Sequence, residues 1–185
     1  MSASLIESLQ SVEDFRALRG RRYPLWIILL LAILGTLSGC YGYCALEDFC
    51  VRHYAALCEH LGVKMKRLPS DTTFRRIFQQ LDFEQMTEQF NQWAQTQFEP
   101  RAGEWLAIDG KSIKGTVQDY SQSYQNFVSV VSVYSQQRGI VVALKQFENK
   151  QQSELKVVQS LLVGLGLKDV VFTLDALHAQ KKPCS

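Results

Sequence analysis

The spacing of apolar residues changes character once along the chain. Over residues 4–98 they recur at three- and four-residue steps, the period of helices packed through one face. Leu5, Leu9, Val12, Phe15 and Leu18 predict a first helix over 4–18. The run 24–39, PLWIILLLAILGTLSG, predicts a second that is apolar on all sides, with Pro24 tolerated in its first turn. Leu46, Phe49, Cys50, Tyr54, Leu57 and Leu61 predict a third over 44–61, stopped by Gly62. After a basic loop containing Lys64, Lys66 and Arg67, Ser70 or Asp71 caps a short helix to Leu81. Asp82 and Gln85 open another that ends before Pro100.

Beyond Pro100 the period becomes two. Glu104–Ile108, Phe127–Tyr134, Gly139–Phe147 and Asp169–Leu174 read as strands, and the Ser135–Arg138 segment suggests a hairpin between the second and third. Ser153–Leu165 reads as an amphipathic helix, closed by Gly164 or Gly166. The expected fold is α+β: an all-helical domain over residues 1–100, then an α/β domain over 101–185 in the order β-β-β-α-β.

Composition narrows the class. Hydrophobic residues make up 46% and charged residues 21% of 185, which excludes a disordered or low-complexity chain. A net charge of +2 does not by itself point to nucleic acid. The charge is unevenly spread, with ten Lys/Arg against eleven Asp/Glu up to residue 100 and ten against seven after it. The five cysteines form no regular framework, which fits a reducing, cytoplasmic setting. Cys50, His53, Cys58 and His60 could be drawn as a zinc set, but no C-x-x-C pair anchors one, and buried free thiols are the expectation. The apolar run with its preceding Arg19, Arg21 and Arg22 resembles a membrane anchor. Its strongly apolar core is shorter than the roughly 20 residues a spanning helix needs, which favours a buried core helix and no membrane.

Two aspartates stand where chemistry could sit. Asp109 follows Trp-Leu-Ala-Ile and Asp175 follows Val-Phe-Thr-Leu, so each is the first charged residue after an apolar strand. Ligands of open α/β sheets bind at strand ends. On neighbouring strands the two carboxylates would repel unless a cation lay between them, and hard divalent cations take such oxygen ligands. The bland reading is that both are turn or cap residues, Asp109-Gly110 being a common turn dipeptide.

Several separate motifs carry a family resemblance. Ala-Ile-Asp-Gly-Lys-Ser at 107–112, the strand 127–133, the run Phe-Glu-Asn-Lys-Gln-Gln-Ser-Glu at 147–154 and Thr-Leu-Asp-Ala-Leu-His-Ala-Gln-Lys at 173–181 resemble the DDE transposases of the H-repeat-associated insertion-sequence family. RGRRYPLWIILLLAILGTLSG at 19–39 and PSDTTFRRIF at 69–78 are similar to that family's helical N-terminal region. The resemblance implies an RNase H-like catalytic domain that uses Mg²⁺ (or Mn²⁺) to cut DNA at transposon ends and join it to target DNA. It implies Asp109 and Asp175 as catalytic, metal-binding acids. The family's third acid and the later strand and helices are expected beyond residue 185, so the resemblance implies an incomplete domain with little activity alone. Lys111, Lys114, His178 and Lys181 become candidate DNA contacts near the acids. Arg75 and Arg76 become candidates in a helix-turn-helix-like segment. DNA is the expected partner, with a homo-oligomer or a full-length transposase as further ones. A non-catalytic DNA-binding remnant and, behind it, a small membrane-anchored protein are the alternatives.

Overall fold

The computed structural model describes residues 4–63, 67–116 and 126–174, with the Lys114 side chain also outside the description. These residues form two compact units, one of residues 4–89 and one beginning at Phe90.

The first unit is helical. Helix α1, Leu5–Gln10, opens with a capping box in which the Glu7 N–H donates to Ser4 Oγ (3.2 Å) and the Ser4 N–H to Glu7 Oε2 (2.7 Å). It is shorter than the predicted 4–18 because Arg16 folds the following chain into a loop. The Arg16 guanidinium donates to both Asp14 carboxylate oxygens (2.8 and 2.7 Å), to Gly20 O (3.2 Å) and to Tyr23 O (2.7 Å). That set of acceptors is incompatible with a continuing helix, and it also holds the Asp14 carboxyl below the usual carboxylate range, chiefly through the Arg16 hydrogen bond.

Helix α2, Leu25–Leu37, starts after Pro24 and buries eight of its 13 residues, Ile28 and Leu31 completely. A helix apolar all round is a core helix. The stretch Leu18–Leu37 is long and apolar enough to cross a membrane by length and composition, and half of it is buried inside the protein. Helix α3, Tyr43–Leu61, packs on α2 and ends where Gly62 takes the left-handed conformation (φ 62°). Their close approach requires a glycine: a Cβ on Gly35 would stand 2.6 Å from Leu46 Cδ2. Cys50 of α3 is buried, and desolvation pushes its thiol up to about 11, leaving it an inert core residue. Helix α4, Asp71–Phe78, buries Phe74 and Ile77, so that Arg75 and Arg76 between them face outward. Helix α5, Phe83–Thr96, carries the chain into the second unit.

The second unit is a four-stranded mixed sheet with one helix against it. Strands β1 (Glu104–Ser112), β2 (Val128–Ser135), β3 (Ile140–Glu148) and β4 (Val170–Leu174) lie in the order β3-β2-β1-β4. The first three are antiparallel neighbours and β4 runs parallel to β1. The parallel pair needs a crossover, supplied through helix α6, Glu154–Leu165. Alternation sends Leu106 and Ile108 of β1 and Val131 and Val133 of β2 to the face where Val157, Val158 and Leu161 of α6 complete the core. On β3, Asn91 of α5 donates through Nδ2 to Leu144 O and accepts at Oδ1 from Leu144 N–H, each at 2.8 Å.

Candidate active site

Asp109 is a strand residue. The pairing of β1 with β2 continues past Ile108 through Asp109↔Ser132 and Gly110↔Val131 to Ser112↔Ser129, so Asp109-Gly110 is no turn. The Asp109 side chain is exposed on the face opposite the buried Leu106 and Ile108. The strand that carries Asp109 and the strand whose last described residue precedes Asp175 are direct neighbours: β1 and β4 pair in parallel from Glu104↔Val170 to Ile108↔Leu174. Asp109 is the residue of β1 next after the last described pair, and Asp175 follows Leu174 in the sequence but lies outside the described residues. His178 and Lys181 lie outside them too.

Lys111 sits on β1 opposite Val130 with an exposed side chain, and Lys114 opens the short 3₁₀ turn Lys114–Thr116. Arg75 and Arg76 belong to the helical unit, in the last turn of α4.

A further carboxylate lies against Gly110, on the face of β1 opposite the Asp109 side chain. Glu154 is the first residue of α6, preceded by Ser153, which occupies the N-cap without a side-chain cap bond. A Cβ built on Gly110 would overlap Glu154 Oε1 and stand 2.7 Å from its Cδ. The Glu154 carboxylate thus fills the space a side chain at 110 would need. Only glycine permits this approach, and the reason is contact rather than backbone conformation. The sequence offered one signal, an Asp-Gly pair inside what proves to be a strand, where an interior glycine marks close approach of another group.

Around Glu154, Ser112, Ser129, Phe147, Asn149 and Lys150 line a cleft of about 380 Å³ on the α6 face of the sheet. Ser112 and Ser129 meet there through their hydroxyls at 3.3 Å. The donors brought together are carboxylate and hydroxyl oxygens, the chemistry that Mg²⁺ and Mn²⁺ prefer. Among the described residues no group of three His, Cys, Asp or Glu is close enough to hold a metal ion.

The opposite end of β1 carries a carboxylate of another kind. Glu104 is fully buried, with Ser135 Oγ donating to Oε1 (2.6 Å), the Arg101 N–H to Oε2 (3.1 Å) and Arg138 Nε 3.3 Å from Oε1. The Ser135 bond first, then the Arg101 N–H and the Arg138 charge, hold its carboxyl below the usual range against the opposing cost of desolvation. Arg138 also donates to Glu99 O and lies over the Phe98 ring, 4.9 Å from its centroid.

A helical unit followed by a four-stranded mixed sheet, with an exposed aspartate on its central strand β1, defines an α+β protein. Residues 6–94 match the family model described as DDE_Tnp_1-associated. Over 178 residues, 96% of this chain, the sequence is 28% identical to "Putative transposase YncI" of Escherichia coli strain K12, covering 70% of that protein. Its identity to "H repeat-associated putative transposase YhhI" of the same strain is 26%, covering 46% of that protein. The chain spans less than half of YhhI and of the O157:H7 form of YncI, of which it covers 45%. No solved structure matches the chain. Over nearly its whole length the chain is thus similar to putative transposases, and its helical unit matches the transposase-associated model.

Proposed function

We propose that this chain acts in DNA transposition, as part of a DDE-type enzyme that cuts and joins DNA by metal-dependent phosphoryl transfer. The sheet is read as the opening of an RNase H-like domain, with Asp109 and Asp175 as its first two catalytic acids. The observation that carries the reading is the parallel register of β1 and β4, described as far as Ile108↔Leu174, with an aspartate next in sequence after each of those two residues. Asp109 is exposed and Lys111 follows on the same face, so the acid can meet a phosphodiester while the lysine offsets the charge of its backbone. A divalent cation bound by the carboxylates would supply an activated water and stabilise the leaving oxygen. The peptide scaffold's part is to fix the acids on a rigid sheet, where the core residues Leu106 and Ile108 hold the strand in register.

Calorimetric titration of the full chain with Mn²⁺ tests the site. Binding should weaken at least about tenfold in Asp109→Asn and in Asp175→Asn, since each removes a charged oxygen ligand. Binding indifferent to both substitutions contradicts the reading.

The second reading, DNA binding without catalysis, is favoured by the exposed Arg75 and Arg76 on α4. If both touch phosphates, Arg75→Ala with Arg76→Ala lowers affinity for a labelled duplex uniformly across sequences. The slope of log affinity against log salt then shrinks by about 2. DNA affinity that persists in a chain with no Mn²⁺ site would select this reading over the first.

A further inference from the structure

The loop between α2 and α3 presents apolar side chains that the fold leaves almost bare. Leu37, the last residue of α2, is 80% exposed, and Tyr41 in the loop is 78% exposed. Tyr43, the first residue of α3, is exposed as well. Isolated exposed apolar residues are ordinary, but here three large ones fall within seven positions of one short connection. The connection is also held in shape. Ser38 N–H donates to Leu34 O (3.0 Å) and Cys40 N–H to Gly35 O (2.9 Å), which ties the loop to the end of α2. Gly39 and Gly42 take positive φ (82° and 93°), a conformation glycine enters without steric cost, so Tyr41 stands between two fixed bends.

The neighbours of this tip point to its partner. Tyr43 stacks on Phe78 of α4, with ring centroids 6.4 Å apart and planes 18° from parallel. Arg75 lies one helical turn before Phe78 on the same side of α4, and Arg76 follows it. Both guanidinium groups are exposed, and among the described residues neither forms an ion pair. The stacked pair thus links a bare apolar tip to two exposed cations. A nucleic acid has the complementary pattern, apolar base faces inside rows of phosphates. An anionic membrane also combines apolar and negative groups, but its binding grows with the apolar area inserted, and two side chains supply little. The similarity to putative transposases favours DNA in the same direction.

We propose that Leu37 and Tyr41 form a wedge that contacts unstacked bases while Arg75 and Arg76 hold nearby phosphates. This rests on the reading of the two arginines as DNA contacts. Apolar side chains inserted at a base step part the stack and kink the duplex, and an aromatic ring stacks on a base exposed in this way. The arginines supply attraction that carries no sequence information. The wedge adds a preference for DNA that unstacks at low cost, as a mismatched pair does.

The test is binding of the full chain to a labelled duplex with one mismatched pair and to its fully paired counterpart, each over a range of salt. The parent should prefer the mismatched duplex. Leu37→Ala with Tyr41→Ala should lower affinity for it at least about fivefold and abolish the preference. The slope of log affinity against log salt should stay in place, because no phosphate contact is lost. Both side chains are nearly bare, so this variant is expected to fold as the parent does, with far-ultraviolet circular dichroism as the check. Arg75→Ala with Arg76→Ala should do the reverse, shrinking the slope and keeping the preference. If Leu37→Ala with Tyr41→Ala binds both duplexes as the parent does while the arginine variant is weakened, the wedge is overturned and the arginine reading stands. Loss of phosphatidylserine-vesicle binding or of self-association in sedimentation, with DNA binding intact, overturns it too, in favour of a lipid surface or a second copy. If the parent binds neither duplex, or neither variant changes binding, both readings fall.

Discussion

Strand β1 carries an acid near each end, and the two could hardly be treated more differently. Glu104 is sealed in, with a hydroxyl, a main-chain N–H and a guanidinium answering its two oxygens. Asp109, five positions on, is exposed, on the other face, next after the last described pair of β1 with β4. A carboxylate whose every oxygen is satisfied by protein groups has nothing left to offer a ligand. It serves to hold elements together, here the start of β1, the end of β2 and the Arg138 turn. A carboxylate left in the open on a rigid, well-packed strand is disposed for ligand chemistry. The same residue class on one strand thus divides into lock and candidate site by what surrounds it.

The largest expected effect is at the lock. Glu104→Ala leaves the Ser135 hydroxyl and the Arg138 charge without their partner and should cost about 2–3 kcal/mol, read from denaturant unfolding. Its pH dependence comes next. The folded Glu104 carboxyl is lowered, so its contribution is fully present above the unfolded value of about 4.3 and is lost as pH falls through the lower folded value. Glu104→Gln should flatten that part of the acid unfolding curve, and an unchanged curve would remove Glu104 as its source. The smallest stability effect is at the open end: Asp109→Asn should stay within about 0.5 kcal/mol of the parent, because the side chain is exposed. A large loss there would mean that Asp109 also serves as a structural anchor, and the contrast along β1 would collapse.

Much of this molecule was legible in its sequence because apolar period reports directly on which face is buried. The switch from a helical period to alternation after Pro100 marks the passage from helices to sheet, and the hairpin, α6 and β4 fall where the pattern puts them. The first helix was overextended because Leu9 and Val12 keep helical spacing and are both buried, while only Leu9 lies in the helix. What stops α1 is the set of carbonyls gathered by Arg16, a tertiary arrangement that no periodicity encodes. At the site, the apolar run leading to Asp109 was readable, but the strand was expected to end at Ile108 and instead runs through Asp109 and Gly110 to Ser112, held by pairing with β2. The approach of Glu154 to Gly110 was not readable at all. It joins residues 44 positions apart through the packing of α6 on the sheet, whereas the sequence marks Glu154 only as the last residue of the 147–154 run and an acid at a helix start.

The most direct test of the contrast is thermal unfolding of the full chain with and without millimolar Mn²⁺, for the parent and for Asp109→Asn. A ligand that binds only the folded state raises its stability by about 2.7 kcal/mol at a hundred times its Kd. The account predicts that Mn²⁺ raises the midpoint of the parent and leaves that of Asp109→Asn in place. Equal shifts in both, or no shift in the parent, would contradict it.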